Sequence, residues 1–223
     1  MYLIIVGAGA VGSSLVQLAL KDGHDVALIE RDEDRAKRAA ACYDCMVLHA
    51  DIAQGGIMEE AQAERAQALI ATTDDDSDNL MAAFLGVEHG VQTLISVVND
   101  ERHQGLFQRL GVHVLLDPEQ IIAEHLYGVL CQPAAEDVIK LAGGAQVVEL
   151  KVAPDSPLAG KSLSQSGQAR LLPKEALIVS LKRGDKTLIP SGKTVLEAQD
   201  LLTVFAQRTL GAKELEVFSG ARA

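Results

Sequence analysis

The stretch LIIVGAGAVGSSL, residues 3–15, decides the fold. Leu3-Ile4-Ile5-Val6 is a short apolar run of the length of a buried strand. Directly after it stands Gly7-Ala8-Gly9-Ala10-Val11-Gly12, a G-x-G-x-x-G, and then a helical pattern over residues 10–22. Gly7 permits a tight strand-to-helix turn. Gly9 has no side chain, so a pyrophosphate could approach the backbone, and Gly12 lets the helix pack close to the strand. The free N–H groups of the first helical turn and the helix dipole then face the phosphates. The glycines alone are a weak signal; the strand before and the helix after supply the context it needs.

Working outward, Val26-Ala27-Leu28-Ile29 is a second apolar run, and Glu30 ends it eighteen residues after Gly12. An acid at this point hydrogen-bonds the ribose hydroxyls of an adenosine, and its charge disfavours a 2′-phosphate. NAD or ADP-like ligands are therefore expected over NADP, with Arg31 next door offsetting part of that charge.

The same rhythm continues along the chain. Further strands are expected at Met46–Leu48, Ala68–Thr72, Thr93–Val98 and Val112–Leu116. Helices are expected near 33–41, 55–64, 76–88 and 100–109, and from Pro118, which suits a first helical turn, to about Leu130. Six short strands alternating with helices read as an α/β fold, a Rossmann-like doubly wound parallel sheet over residues 1–131. After Pro133 a connecting helix over Ala135–Ala142, in a linker spanning 132–143, ends at Gly143-Gly144. Residues 144–207 read as a small α+β C-terminal domain, with strands at Val147–Val152, Ala176–Lys182, Thr187–Ile189 and Leu201–Phe205 and a hairpin turn at Arg183-Gly184-Asp185-Lys186. Residues 208–223 read as a poorly ordered tail.

Composition narrows the function classes. The 223 residues are 48% hydrophobic, enough for a proper core, yet only 3% aromatic, so the core rests on Val, Ile, Leu and Ala. A net charge of −11 with no basic stripe argues against nucleic acid and against anionic lipid. The uncharged stretch 3–20 holds three glycines and polar residues and lacks a preceding basic region, so it is neither signal peptide nor spanning helix. A soluble cytoplasmic protein without membrane insertion is expected. Cys42-x-x-Cys45 follows a helix where redox chemistry would want it to open one, and lacks a second pair for zinc, so it reads as structural. Asp74-Asp75-Asp76-Ser77-Asp78 reads as a helix N-terminus, where Asp is favoured, and no metal site is expected.

Beyond these physical readings, several stretches occur together in a familiar order. They are GAGAVGSSL at 7–15, GHDVALIERD at 23–32, HADIA at 49–53, ATTDDDSDNL at 71–80, LGVHVLLDPE at 110–119, SPLAGKSL at 156–163 and LIPSGKTVLEAQDLL at 188–202. On them the chain resembles the TrkA/KtrA-type regulators of potassium uptake, with an N-terminal RCK (KTN) nucleotide-binding domain and a small TrkA-C domain. The resemblance implies a cytoplasmic regulatory subunit that binds NAD(H), ADP, AMP or ATP and gates a membrane ion-translocating subunit of Trk/Ktr type. It implies a homodimer that assembles into a tetramer or octamer, peripheral to the membrane through its partner. Carried over by position, Gly7, Gly9, Ala10, Val11 and Gly12, with Ala8 in the same turn, would meet phosphates. Glu30 and Arg31 would flank ribose and adenine, Asp51 and Ile52 would border the adenine, and Thr72 and Thr73 would line the far side of the cleft. Pro118-Glu119 matches a Pro-Glu near the dimer contact, making Glu119 an interface or cation-site candidate. Many members carry Arg where this chain has Ala10, and again in the strand Ile95-Ser96-Val97-Val98; losing both predicts that NAD(H) or ADP/AMP binds better than ATP.

Two other classes compete. An NAD-dependent oxidoreductase needs an acid/base residue in a substrate domain, but the C-terminal part has no His or Cys. No pair among His24, His49, His89, His103, His113 and His125 forms a base with its orienting partner on sequence grounds. A sensor of a cyclic dinucleotide through the C-terminal domain is compatible with the regulator, as is service to another cation transporter or antiporter. The expectation is a regulator and not an enzyme.

Overall fold

The computed structural model describes residues 1–220. The chain divides into two compact units, Met1–Glu119 and the residues from Gln120 onward. In the first unit the strands are β1 (Tyr2–Val6), β2 (Asp25–Glu30), β3 (Met46–His49), β4 (Ala68–Ala71), β5 (Thr93–Val98) and β6 (His113–Leu116). All neighbours pair in parallel, in the order β3-β2-β1-β4-β5-β6. The helices between them are α1 (Ala10–Lys21), α2 (Glu33–Cys42), α3 (Ile57–Glu60), α4 (Asp76–Glu88) and α5 (Gln104–Arg109).

Strand alternation assigns the core to two faces. Leu3, Ile5, Val26 and Leu28 pack with Val16 of α1 and Ala39 of α2. Ile4, Val6, Ala27, Ile29 and Leu69 pack with Ala82 and Ala83 of α4 and with Phe107 of α5. Both faces are apolar because helices cover both, as an all-parallel sheet requires. Small residues set the spacing. A Cβ on Gly86 would fall 2.6 Å from Leu94 Cδ2, so glycine lets α4 sit this close to β5.

The doubly wound sheet forms as read, with two helices shorter than expected. The segment 55–64 is only α3 and a 3-10 turn at Ala63–Arg65, separated where Gln62 takes φ +52°. The segment 100–109 is a 3-10 turn, Glu101–His103, leading into α5.

The second unit contains most of α6 (Pro118–Cys131), which begins at the boundary. After it come β7 (Ala135–Lys140), β8 (Gln146–Lys151), α7 (Leu163–Gln168), β9 (Ala176–Arg183), β10 (Lys186–Leu188), β11 (Leu201–Ala206) and α8 (Ala212–Ser219). Its strands make an antiparallel sheet in the order β10-β9-β11-β8-β7. Lys186 pairs with Arg183 across the expected hairpin turn.

Three sequence readings are corrected here. Ala135–Lys140 is a strand and not a connecting helix. Its Ala, Glu and Lys suit a helix, but pairing with β8 prevails, and Gly143 and Gly144 at φ +77° and +84° turn the chain back for it. Helix 118–131 falls almost wholly in the second unit, so the division lies at residue 119 and not at 131. The segment 208–220 is no loose tail: Leu210, Leu215 and Phe218 are buried in the core of this unit. The rest of that expected tail, 221–223, lies outside the described residues.

Candidate functional site

The glycine turn stands where the strand order reverses, between β1 and β4, the position at which open α/β sheets leave a crevice beyond the strand ends. Gly7 takes φ +96°, and a Cβ there would come within 3.0 Å of Thr73 Cγ2. Gly12 is more constrained: a Cβ would lie 1.9 Å from the Gly7 carbonyl oxygen and 2.7 Å from Thr72 Oγ1. Gly9, the N-cap of α1, faces open space, with nothing within 4 Å of its missing Cβ. No side chain caps α1, so its leading N–H groups remain available to a ligand. Ser13 Oγ donates to the Ala8 carbonyl and braces the turn (3.0 Å).

Glu30 is 4% exposed. One carboxylate oxygen accepts the Ala8 N–H at 2.5 Å and the other the Asp32 N–H at 2.8 Å. The acid therefore ties the end of β2 to the glycine turn. A carboxylate has about four acceptor positions, so capacity remains for ribose hydroxyls.

Arg31 extends away to α4. Nη1 donates to Asp78 Oδ2 at 2.7 Å, and Nη2 stands 4.0 Å from Asp74 Oδ1. Asp51 is exposed and accepts the Ala53 N–H at 2.8 Å within its own loop. Ile52 is 4% exposed and packs in the core cluster of its unit. Thr72 Oγ1 donates toward the carbonyls of Val6 and Gly7 (3.0 and 3.2 Å). The Thr73 N–H donates to Asn79 Oδ1 at 2.9 Å. Val11 is half-buried and Ala10 exposed at the turn, while Glu119 is exposed in the first turn of α6.

Sequence reasoning missed Asn79 and two arginines. Asn79 is fully buried in α4, and its amide donates to the carbonyls of Thr73 and Val97, joining the ends of β4 and β5. Its signal was a polar residue on the buried face of a helix. Arg35 and Arg38 of α2 line a cavity of about 350 Å³ together with Ala8, Gly9, Ala10 and Ser13. They place positive charge beside the glycine turn, which the interleaved acids of that stretch concealed.

The aspartate run caps α4. Asp75 accepts the Ser77 N–H (2.7 Å), a bond that holds its carboxyl below the usual range. Burial pushes Asp76 up, but bonds from Asn99, His103 and Asp100 outweigh it and the net shift is downward. Burial raises Asp78, with Arg31 opposing. His103 Nδ1 lies 2.8 Å from Asp76 Oδ2, a base-and-orienter pair that the sequence did not reveal. That carboxylate also accepts the backbone N–H groups of Asn99 and Asp100, so the pair fastens the β5 exit to α4. Cys42 and Cys45 are unbonded thiols, and burial followed by the Asp44 charge pushes Cys45 up, away from the reactive thiolate. Among the described residues no helix is long and apolar enough to cross a membrane.

Comparison with known proteins follows the two units. The family model of the TrkA-N domain matches residues 3–118, and that of the TrkA-C domain matches residues 147–210. The Trk system potassium uptake protein TrkA homolog of Methanothermobacter thermautotrophicus is 28% identical over 221 residues, 99% of this chain and 100% of that protein. The crystal structure of the GsuK RCK domain superposes with a TM-score of 0.63 at 22% identity, covering all of this chain. The GsuK channel bound to NAD superposes at 0.62, again with 22% identity over the whole chain. The chain spans 48% and 40% of those two, and the likeness is one of fold.

Proposed function

The chain belongs to the TrkA family, and from that premise we propose that it is a cytosolic, nucleotide-sensing regulatory subunit of a membrane potassium transporter. The observation that carries the nucleotide part is the conjunction at the β1/β4 switch point: an uncapped helix N-terminus, an unobstructed Gly9 and a buried Glu30 beside them. Phosphates would lie over Gly7, Ala8, Gly9, Ala10, Val11 and Gly12. Glu30 would accept the ribose hydroxyls, Arg31 and the Asp51-Ile52 backbone would border the adenine, and Thr72 and Thr73 would close the far side.

The preferred ligand is NAD(H) or ADP/AMP over ATP, because Ala10 brings no charge to a terminal phosphate. A relative of like fold is a channel bound to NAD, which supports a dinucleotide fitting this type of cleft. Ligand would bias the geometry of paired subunits in proportion to its differential affinity for their states, and the membrane partner would read that bias. The exposed apolar residues of α6 are the proposed homodimer contact, with Glu119 at its edge. His103 and Asp76 are assigned to structure, so the regulatory reading stands over an oxidoreductase.

The test is a thermal-shift panel on nucleotide-stripped protein with NAD⁺, NADH, ATP, ADP, AMP and cyclic di-AMP. A ligand at a hundredfold excess over its Kd adds about 2.7 kcal/mol of stability. A shift with an adenine nucleotide that is lost in Gly9→Asp supports the cleft as sensor. ATP as the tightest ligand overturns the ranking, and no shift with any of them overturns the nucleotide reading.

A further inference from the structure

Arg31 occupies the place from which a cation would greet a 2′-phosphate. It follows the acid that ends β2, and a guanidinium there would both offset Glu30 and bind phosphate in two-point fashion. Its charge is directed elsewhere. Nη1 is bonded to Asp78 Oδ2 at 2.7 Å, and Nη2 stands 4.0 Å from Asp74. Asp78 lies in the first turn of α4, which follows β4, and β1 lies between β2 and β4 in the sheet. The Arg31 side chain thus joins the end of β2 to the first turn of α4, and it does not line the cavity at the glycine turn. Asp78 is the stronger anchor, with a side chain only 21% exposed; Asp74 is 86% exposed and adds little at that distance.

We propose that Asp78 is a specificity-determining positioning residue of the nucleotide cleft. By holding the Arg31 guanidinium at α4 it leaves Glu30 unopposed at the ribose 2′ position. The cleft then selects adenine nucleotides with a free 2′-hydroxyl against 2′-phosphorylated ones. Released from Asp78, Arg31 can swing to the phosphate. The inference rests on the nucleotide reading and adds to it the residue that sets the selectivity.

The experiment is a double-mutant cycle on the full chain, using Asp78→Ala, Arg31→Ala and the double variant. NADH and NADPH are titrated at low salt, with AMP and adenosine 2′,5′-bisphosphate as the matching mononucleotide pair. The unaltered chain is expected to bind the 2′-hydroxyl member at least about tenfold tighter. Asp78→Ala narrows that ratio by about tenfold, which is about 1.4 kcal/mol. The same change made in the Arg31→Ala background narrows it far less, because only an acidic charge is removed and no arginine is freed. Retained binding of the 2′-hydroxyl member shows that Asp78→Ala is folded. An unchanged ratio in Asp78→Ala, or an equal change in both backgrounds, overturns the proposal while the nucleotide reading stands. If the unaltered chain binds none of the four ligands, the nucleotide reading falls and the proposal with it.

Discussion

Gly9 and Gly12 sit three residues apart in one turn, and different demands hold them there. Gly12 is required by the protein: its Cβ would lie 1.9 Å from the Gly7 carbonyl oxygen, so the backbone must shift to admit even alanine. Gly12→Ala should cost about 1–3 kcal/mol in denaturant unfolding, as overpacking does. Gly9 is required only by a ligand, since its Cβ would touch nothing within 4 Å and its φ of −67° suits any residue. Gly9→Ala should therefore stay within about 0.5 kcal/mol of the parent in the same unfolding experiment, while a larger Gly9→Asp loses nucleotide in titration. Equal destabilisation by the Gly9→Ala and Gly12→Ala changes would remove this distinction. Glu30 serves both masters. Replacing it with Gln turns one of its two acceptors into an N–H that faces the N–H of Ala8 or Asp32. Glu30→Gln should lose about 1–3 kcal/mol of stability before any ligand is added, measurable as a fall in Tm of the nucleotide-free protein.

The elements that the sequence disclosed are those whose neighbours in sequence are also their neighbours in the fold. The β1 to α1 turn, the acid after β2 and the aspartate cap of α4 are local devices, so Gly7 to Gly12, Glu30 and Asp75 were legible. β7 was not, because Ala135–Lys140 carries a helix-compatible composition and becomes a strand only through β8. The Arg31–Asp78 bond, between residues 47 apart in the chain, left no local trace. α8 was hidden by its position near the chain end, although Leu215 and Phe218 already lie at helical spacing. Ala153 N–H donates to the Phe218 carbonyl and Ser156 Oγ to that of Val217, which fixes α8 on the second unit. Phe218→Ala should thus cost about 3–5 kcal/mol, read as a lower denaturant midpoint. The start of this helix also carries a pH signature. The Arg208 guanidinium, followed by the Gly211 N–H, holds the Glu214 carboxyl at about 2, against an ordinary 4.5. A lowered folded-state value stabilises the helix fully above the ordinary value and loses that support as pH falls toward the folded one. Between those limits the Tm of the parent should fall more steeply with acid than that of Glu214→Gln; parallel curves would show that the bridge contributes nothing.

On the scale of the whole molecule, α6 is the element whose sequence and surroundings disagree. Gly128 is its one fully buried residue, set against Val138. Ile121, Ile122, Leu126, Tyr127 and Leu130 are 50–74% exposed. Ile122, Leu126 and Leu130 recur every four residues, so they form a stripe along one side of the helix. A chain of net charge −11 has ample acidic surface, and an uncharged stripe of this kind on it is the mark of a contact surface. The stripe is apolar along its length, and a second copy of the same stripe is its simplest complement, paired about a two-fold axis. The protein should therefore run in light scattering at twice its 23.7 kDa chain mass. Leu126→Asp with Leu130→Asp should return it to a single chain, because two charges from each copy would be buried at the contact without partners. Both side chains are more than three-fifths exposed in the single chain, so the double variant should unfold at the denaturant midpoint of an isolated chain and still bind nucleotide. A double variant that kept the doubled mass would place the dimer contact elsewhere. One that became a single chain yet lost its nucleotide would mean that pairing completes the cleft, joining the two halves of the proposed mechanism at α6.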